Sequence, residues 1–215
     1  MVGLKEPSGT GPLRHRHVFF AHAYKGQVGG PEVLRRFVAG GGTLLDLEAM
    51  VDDGGRRVVA FGYWAGYAGA ALAVLQHRGA LDRPLRSTSR DELDARLRGS
   101  SGPGRALVIG ASGRSGRGAL DALRTISDVT CDVTSDANRL PVNDRITTWA
   151  EPVRRLHGSP VLDVIAIDNL PSLLPRESSA AFSADLTPYL RVLPDDPVWT
   201  RCRTRFDEAV ADLDA

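Results

Sequence analysis

The chain has 215 residues, 42% of them hydrophobic, and sets 27 Lys and Arg against 26 Asp and Glu for a formal charge of +1. That length suits one large domain or two small ones, and the even charge balance removes the electrostatic case for nucleic acid or an anionic membrane as the main partner. Two cysteines, Cys131 and Cys202, make no disulfide framework, so a reduced, cytoplasmic setting is expected.

The N-terminus shows no apolar leader segment. Residues 17–22 read as a buried strand, whose apolar run stops at the hydrogen-bonding side chains of His22, Tyr24, Lys25 and Gln27. The stretch 29–42 reads as a short helix, with Pro31 near its start and Gly40 to Gly42 past its end. Residues 43–62 read as a hairpin turning at Asp53-Gly54. Residues 64–78 read as an apolar helix. Its Gly66 and Ala70, and Gly69 and Ala73, stand four apart, giving a face of small residues that another backbone can approach closely. The longest apolar run, Val58 to Leu75, is broken by three glycines. A core helix is expected there, since a membrane span needs about 20 apolar residues.

Residues 80–104 are polar and read as a loop or linker with a helical turn over 90–98. Beyond them come a strand at 105–109, a helix at 115–124, strands at 125–132 and 162–167, a helix after Pro175 and an amphipathic helix at 198–214. Strands alternating with helices predict an α/β fold with a mostly parallel sheet.

Between strand 105–109 and helix 115–124 stand Gly110, Gly113 and Gly116. Glycine there permits a sharp turn and lets a pyrophosphate approach the backbone at a helix N-terminus. The spacing is G-x-x-G-x-x-G rather than G-x-G-x-x-G, so a plain strand–helix turn fits as well. Distance alone nominates Asp128 or Asp132 as the ribose-binding acid. Tyr63, Trp64 and Tyr67 read as packing residues, Cys131 as a buried strand residue, and His77 and His157 as surface groups. No metal is expected, because no C-x-x-C or H-x-x-x-H pair occurs and His15 and His17 only flank a strand start.

The segments VGLKE, HVFFAHAYKGQ, GRRVVAFGYWAGYAGAAL, VIGASGRSGRGALDAL, SDVTCD and DVIAIDNLPSLLPRES together resemble the NAD-dependent, lysine-forming saccharopine dehydrogenases, which share a fold with alanine dehydrogenases. The resemblance implies NAD as cofactor, and a Rossmann-like parallel sheet domain plus a partial second α/β domain. The expected division is a partial substrate and catalytic domain over 1–80, a linker over 81–104, a reduced nucleotide-binding domain over 105–195, and a C-terminal helix over 196–215 packing back on the first domain.

By the same resemblance Lys5 is the proton acceptor and His22 the proton donor, tuned by Lys25 and Glu48. Gln27, Arg57, Phe61, Thr130, Cys131 and Asp132 correspond to substrate contacts. Arg56, Gly110, Gly113, Arg114, Val129, Ile167, Asp168, Asn169 and Leu170 correspond to dinucleotide contacts, Asn169 standing where the family usually has His. The implied substrate is a secondary amine joining an amino acid such as lysine to a 2-oxo acid. A lysine crowded by a second cation gives up its proton more readily, imidazole titrates near neutrality, and arginine grips a carboxylate through paired hydrogen bonds. These residue types suit that chemistry.

The resemblance also implies two departures. The family's opening strands have no counterpart, nor does a block between ALDALR and TISDVTCD that carries the second nucleotide-binding strand and its ribose acid. This places SDVTCD on a later strand facing substrate. A compact relative, a chain completed by dimerisation or by a partner chain, and a sequence lacking segments of its gene product all fit. So does a second class of function, in which the fold has lost NAD and keeps only binding or imine acid–base chemistry.

Overall fold

The computed structural model describes residues 1–24, 26, 28–134 and 147–213. In chain order the elements are β1 (Arg16–Phe19), α1 (Gly30–Gly40), β2 (Thr43–Asp46), α2 (Gly62–His77), α3 (Arg90–Gly99), β3 (Gly104–Ile109), α4 (Arg114–Leu123), β4 (Val129–Thr134), β5 (Arg154–Gly158), β6 (Val161–Val164), α5 (Pro175–Arg191) and α6 (Pro197–Ala211). The chain divides into two units: Met1–Ala60 with Phe182–Ala215, and Phe61–Ala181.

In the first unit β1, α1 and β2 form a strand–helix–strand crossover. β1 and β2 run parallel, from Arg16 opposite Thr43 to Phe19 opposite Asp46. The N-terminal segment lies along the other side of β1. Val2 bridges Val18 in parallel, the Gly3 N–H donates to Val18 O at 2.9 Å, and the Phe20 N–H reaches Leu4 O at 3.4 Å. Residues 17–19 and 44–46 are buried without alternation. Successive strand residues point to opposite faces, so both faces are covered. The stripe Val33, Leu34 and Phe37 of α1 supplies one cover. The Phe37 ring lies 6.5 Å from Phe19 and meets Phe206 of α6 edge-on at 5.8 Å.

The second unit holds a parallel pair, β3 with β4, from Gly104 opposite Val129 to Ile109 opposite Thr134, and an antiparallel pair, β5 with β6. Helices α2 and α4 meet backbone to backbone. A β-carbon at Gly66 would overlap the Ser115 carbonyl, and one at Gly118 would overlap that of Tyr63. The small-residue face expected on α2 is thus used for close approach, and Tyr67 is packed into the core as expected. Among the described residues no helix is long and apolar enough to cross a membrane.

The α/β class with parallel strands is as expected; several local readings need correction. Residues 43–62 do not form a hairpin. β2 pairs with β1 instead, and only Val51 and Arg57 bridge antiparallel. The turn itself forms, because Asp52 Oδ1 accepts the N–H groups of Gly54 and Arg56, each at 2.9 Å. An isolated hairpin could not bury both Leu44 and Leu45, which face opposite ways. The turn expected at 90–98 is a full helix, started by a capping box. Glu92 Oε2 accepts from the Ser89 N–H at 2.9 Å, Ser89 Oγ accepts from the Glu92 N–H at 3.3 Å, and Leu93 and Leu97 are fully buried. The strand expected at 162–167 stops at Val164 and pairs with β5, which the sequence reading lacked; Ile167 makes one parallel bridge to Thr147. The strand expected at 125–132 begins at Val129. Asp128 therefore precedes it, at the amino end, where its carboxylate takes Arg78 and the Gly102 N–H.

Candidate functional site

Because the N-terminal segment, β1 and β2 run the same way, their carboxyl ends share one edge. Crevices at that edge are where open α/β sheets bind ligands. Lys5 follows Leu4 there, His22 follows β1, and Glu48 lies in a 3-10 turn, Leu47–Ala49, directly after β2. His22 Nδ1 stands 3.4 Å from Glu48 Oε1, and Arg57 Nη1 stands 3.4 Å from the same oxygen. The Glu48 side chain is only 15% exposed, against 58% for His22 and 42% for Arg57. A mostly sheltered carboxylate thus sits between two more open nitrogen-bearing side chains. Lys5 is exposed, but its neighbour Glu6 ion-pairs with the buried Arg36 of α1, which also donates to Gly11 O at 3.0 Å. That pair fixes the backbone beside Lys5.

The backbone of His22 has φ 53°, in the left-handed region. Such conformations cost energy in residues other than glycine and concentrate at functional sites. Among the described residues one other non-glycine shares this feature: Asn169, at φ 57°.

Sequence reasoning missed Asp46, which ends β2 and is wholly buried. Its Oδ1 accepts from the N–H of Ala21 at 3.3 Å and of Glu48 at 2.9 Å, while its Oδ2 is buried with no hydrogen-bond partner among the described residues. Burial raises its pKa, and the two N–H bonds act in the opposite direction. The available signal was the D-x-E spacing at a strand end, where an aspartate caps the N–H two residues on. Nearby, burial pushes the Tyr24 phenol upward and the Cys202 thiol to about 12. A cavity of about 410 Å³ opens between these loops and α6, lined by Tyr24, Glu48, Val51, Thr200, Arg201 and Arg205 among others.

Lys25 and Gln27 lie outside the described residues. Arg56 is exposed in the turn closed by Asp52. Phe61, half-buried just before α2, belongs to the second unit.

In that second unit the glycine turn is tight. Gly110 has φ 74°. Gly113 caps α4 with no side chain over the helix end and donates its own N–H to Gly110 O at 2.9 Å. A β-carbon at Gly116 would overlap the Gly110 carbonyl, so only glycine lets strand and helix approach this closely. Arg114 opens α4. Among the described residues no side chain caps the first turn of α4 by a hydrogen bond, and free N–H groups at a helix start are a donor set suited to phosphate. Val129, Thr130, Cys131 and Asp132 lie along β4. Thr130 and Asp132 are exposed, Asp132 pairs with Arg105 at 3.0 Å, and Cys131 is half-buried, not fully buried as expected. Ile167, Asp168, Asn169 and Leu170 form one short connection, in which Ile167 is buried and Asn169 opens a 3-10 turn.

Comparison with known proteins bears on this arrangement. No family model matches the chain. The NAD+-dependent, L-lysine-forming saccharopine dehydrogenase of Neurospora crassa is 38% identical over 293 aligned residues, covering 99% of this chain and 79% of that enzyme. The chain belongs to the saccharopine dehydrogenase (NAD+, L-lysine-forming) family. Its counterpart from Schizosaccharomyces pombe is 34% identical, with 99% of this chain and 80% of that enzyme covered. A 70-residue stretch is 37% identical to the mitochondrial alpha-aminoadipic semialdehyde synthase of Rattus norvegicus, covering 32% of this chain and 8% of that protein. An L-alanine dehydrogenase structure superimposes with a TM-score of 0.58 at 11% identity, over 98% of this chain and 80% of that one. At that identity it speaks for the fold alone. The Neurospora enzyme fills at least 78 aligned positions (293 less 215) for which this family member has no residue.

Proposed function

We propose that this chain catalyses the NAD+-dependent oxidative cleavage, or the reverse reductive formation, of a secondary amine joining an amino acid such as lysine to a 2-oxo acid. The observation that carries the reading is the shared carboxyl edge of the first unit, where Lys5, His22 and Glu48 leave three parallel segments and His22, Glu48 and Arg57 are linked.

Lys5 is assigned to take the proton of the substrate nitrogen. NAD+, when bound, would supply the hydride acceptor for the adjoining carbon, whose oxidation gives a carbon–nitrogen double bond. The Gly110–Gly116 turn would hold its pyrophosphate, and Arg114, Val129 and the connection 167–170 are assigned to the rest of the dinucleotide. Lys5 then helps water add to that carbon. His22, its ring oriented by Glu48, carries a proton to the nitrogen as the carbon–nitrogen bond breaks, releasing the amino acid and the 2-oxo acid. Arg57 holds a substrate carboxylate by charge-assisted hydrogen bonds.

The test is NADH formation by the purified chain from saccharopine and NAD+, with Lys5→Met alongside. Turnover by the wild type and a loss of about 10²–10⁴ in kcat for Lys5→Met, the range of a lost general base, support the assignment. A Lys5→Met protein at the wild-type rate refutes Lys5 as the base. The positions this chain lacks favour one competing reading, a fold that keeps binding or imine acid–base chemistry without NAD. Absence of saturable NADH binding up to millimolar concentration selects that alternative.

A further inference from the structure

We propose that Asp46 is a positioning residue that sets His22 and Glu48 in register through a single carboxylate oxygen. The ladder between β1 and β2 ends at the pair Phe19 and Asp46. Beyond it the two chains diverge into loops; the Phe20 N–H still reaches Leu4 O, and the N–H groups of Ala21 and Glu48 turn to a side chain instead. Asp46 Oδ1 receives both: Ala21 N–H, one peptide before His22, and Glu48 N–H itself. The side chain thus extends the sheet by one rung, tying together two loops that are 25 residues apart in sequence.

Three further features fix that rung. Asp46 has no exposed surface, so water does not compete for Oδ1. The Cys202 thiol of α6 sits 3.7 Å from the Asp46 carbonyl oxygen, packing the residue from below. Among the described residues Oδ2 has no hydrogen-bond partner, so the hydrogen bonds of the side chain fall on the oxygen that serves the two loops. The left-handed backbone of His22 begins one residue after the Ala21 N–H is anchored. Held conformations of this kind persist when their surroundings over-determine them, and Asp46 is the anchor on the β2 side.

The inference rests on the reading of His22 as the proton-transfer group, and the experiment separates the two. Asparagine keeps the Oδ1 acceptor and removes the charge; alanine removes both. With saccharopine and NAD+, Asp46→Ala is expected to lower kcat about 10²-fold, the effect of misplacing a catalytic group by about 1 Å, with NADH affinity unchanged. Asp46→Asn should recover most of that loss. A second readout needs no turnover: the titration of the His22 ring followed by NMR in histidine-labelled protein, with Glu48→Gln as the benchmark for losing the Glu48 charge. Asp46→Ala should shift His22 at least as far as Glu48→Gln does, and Asp46→Asn by less. A folded Asp46→Ala protein with wild-type kcat and wild-type His22 titration overturns the proposal. So does an Asp46→Asn protein as impaired as Asp46→Ala, because the charge and not the acceptor would then matter. If Asp46→Ala does not fold, Asp46→Asn decides: a shift smaller than that of Glu48→Gln supports the inference, and one as large refutes it. An inactive wild type whose His22 titration follows the expected pattern would sink the dehydrogenase reading and leave the positioning role intact.

Discussion

The molecule contains two parallel strand pairs built to the same plan and finished differently. β1 and β2 are buried along both faces, with Leu44 and Leu45 adjacent and both enclosed. β3 and β4 are less enclosed among the described residues: Val108 is buried, while Leu107 is 63% exposed and Ile109 and Val133 are open as well. A parallel pair normally has cover on both sides. The difference separates a pair enclosed on both faces from one that is more open among the described residues. The intact pair carries the residues assigned to proton transfer. The more open pair carries the glycine turn assigned to the dinucleotide.

The contrast can be broken first at His22. His22→Ala is expected to lower kcat by about 10²–10⁴ and remove one limb of the pH–rate profile, leaving NADH affinity unchanged in a fluorescence titration. A matching loss of NADH affinity would mean that the two pairs do not divide the work in this way.

Next in size is packing. Leu44→Ala should destabilise the protein by about 2–5 kcal/mol, as for a fully buried leucine. Leu107→Ala should stay within about 0.5 kcal/mol, as for an open surface position. Chemical denaturation of both variants measures the difference. Equal losses would show that the outer face of β3 is covered in solution.

Arg57→Ala should raise KM for the carboxylate substrate about 10- to 150-fold, equivalent to about 1.5–3 kcal/mol for a charged hydrogen bond, with little change for NAD+. Equal effects on both would make Arg57 structural. Weakening of both would also undo its assignment to the proton-transfer side.

The smallest effect concerns Asp46. Its folded pKa is raised above the ordinary 3.8, so its contribution to stability is fully present below that value and is lost as the pH climbs through the folded one. Asparagine has no such dependence. The thermal stability of the wild type relative to Asp46→Asn should therefore decline as pH rises from the acid side of 3.8 toward neutrality. A constant difference would contradict the raised value.

Much of the framework was legible in the residues. Pro31 and the glycines after it bracket α1, Pro175 starts α5, and the four-residue spacing on α2 announced its close neighbour. What misled was local signal stronger than its context. Asp53-Gly54 is a good turn, and it does turn, but burying both Leu44 and Leu45 required β1, a partner far away in sequence. The S-x-x-E pattern at Ser89–Glu92 was present and would have turned the expected helical turn into a full helix. β5 was hidden because Arg154 and Arg155 make it polar and exposed, which leaves no alternation to read. The meeting of His22, Glu48 and Arg57 lay in no single stretch. It follows from parallel strands ending at one edge, and only the family resemblance suggested it beforehand.

The glycines that join α2 to α4 have a mechanical consequence. Where side chains interdigitate, one helix can slide a fraction of an ångström and the rotamers between absorb the shift. At Gly66 and Gly118 the two main chains touch with no such cushion. The two helices are therefore coupled main chain to main chain, so a shift of the first turn of α4 is passed directly to α2.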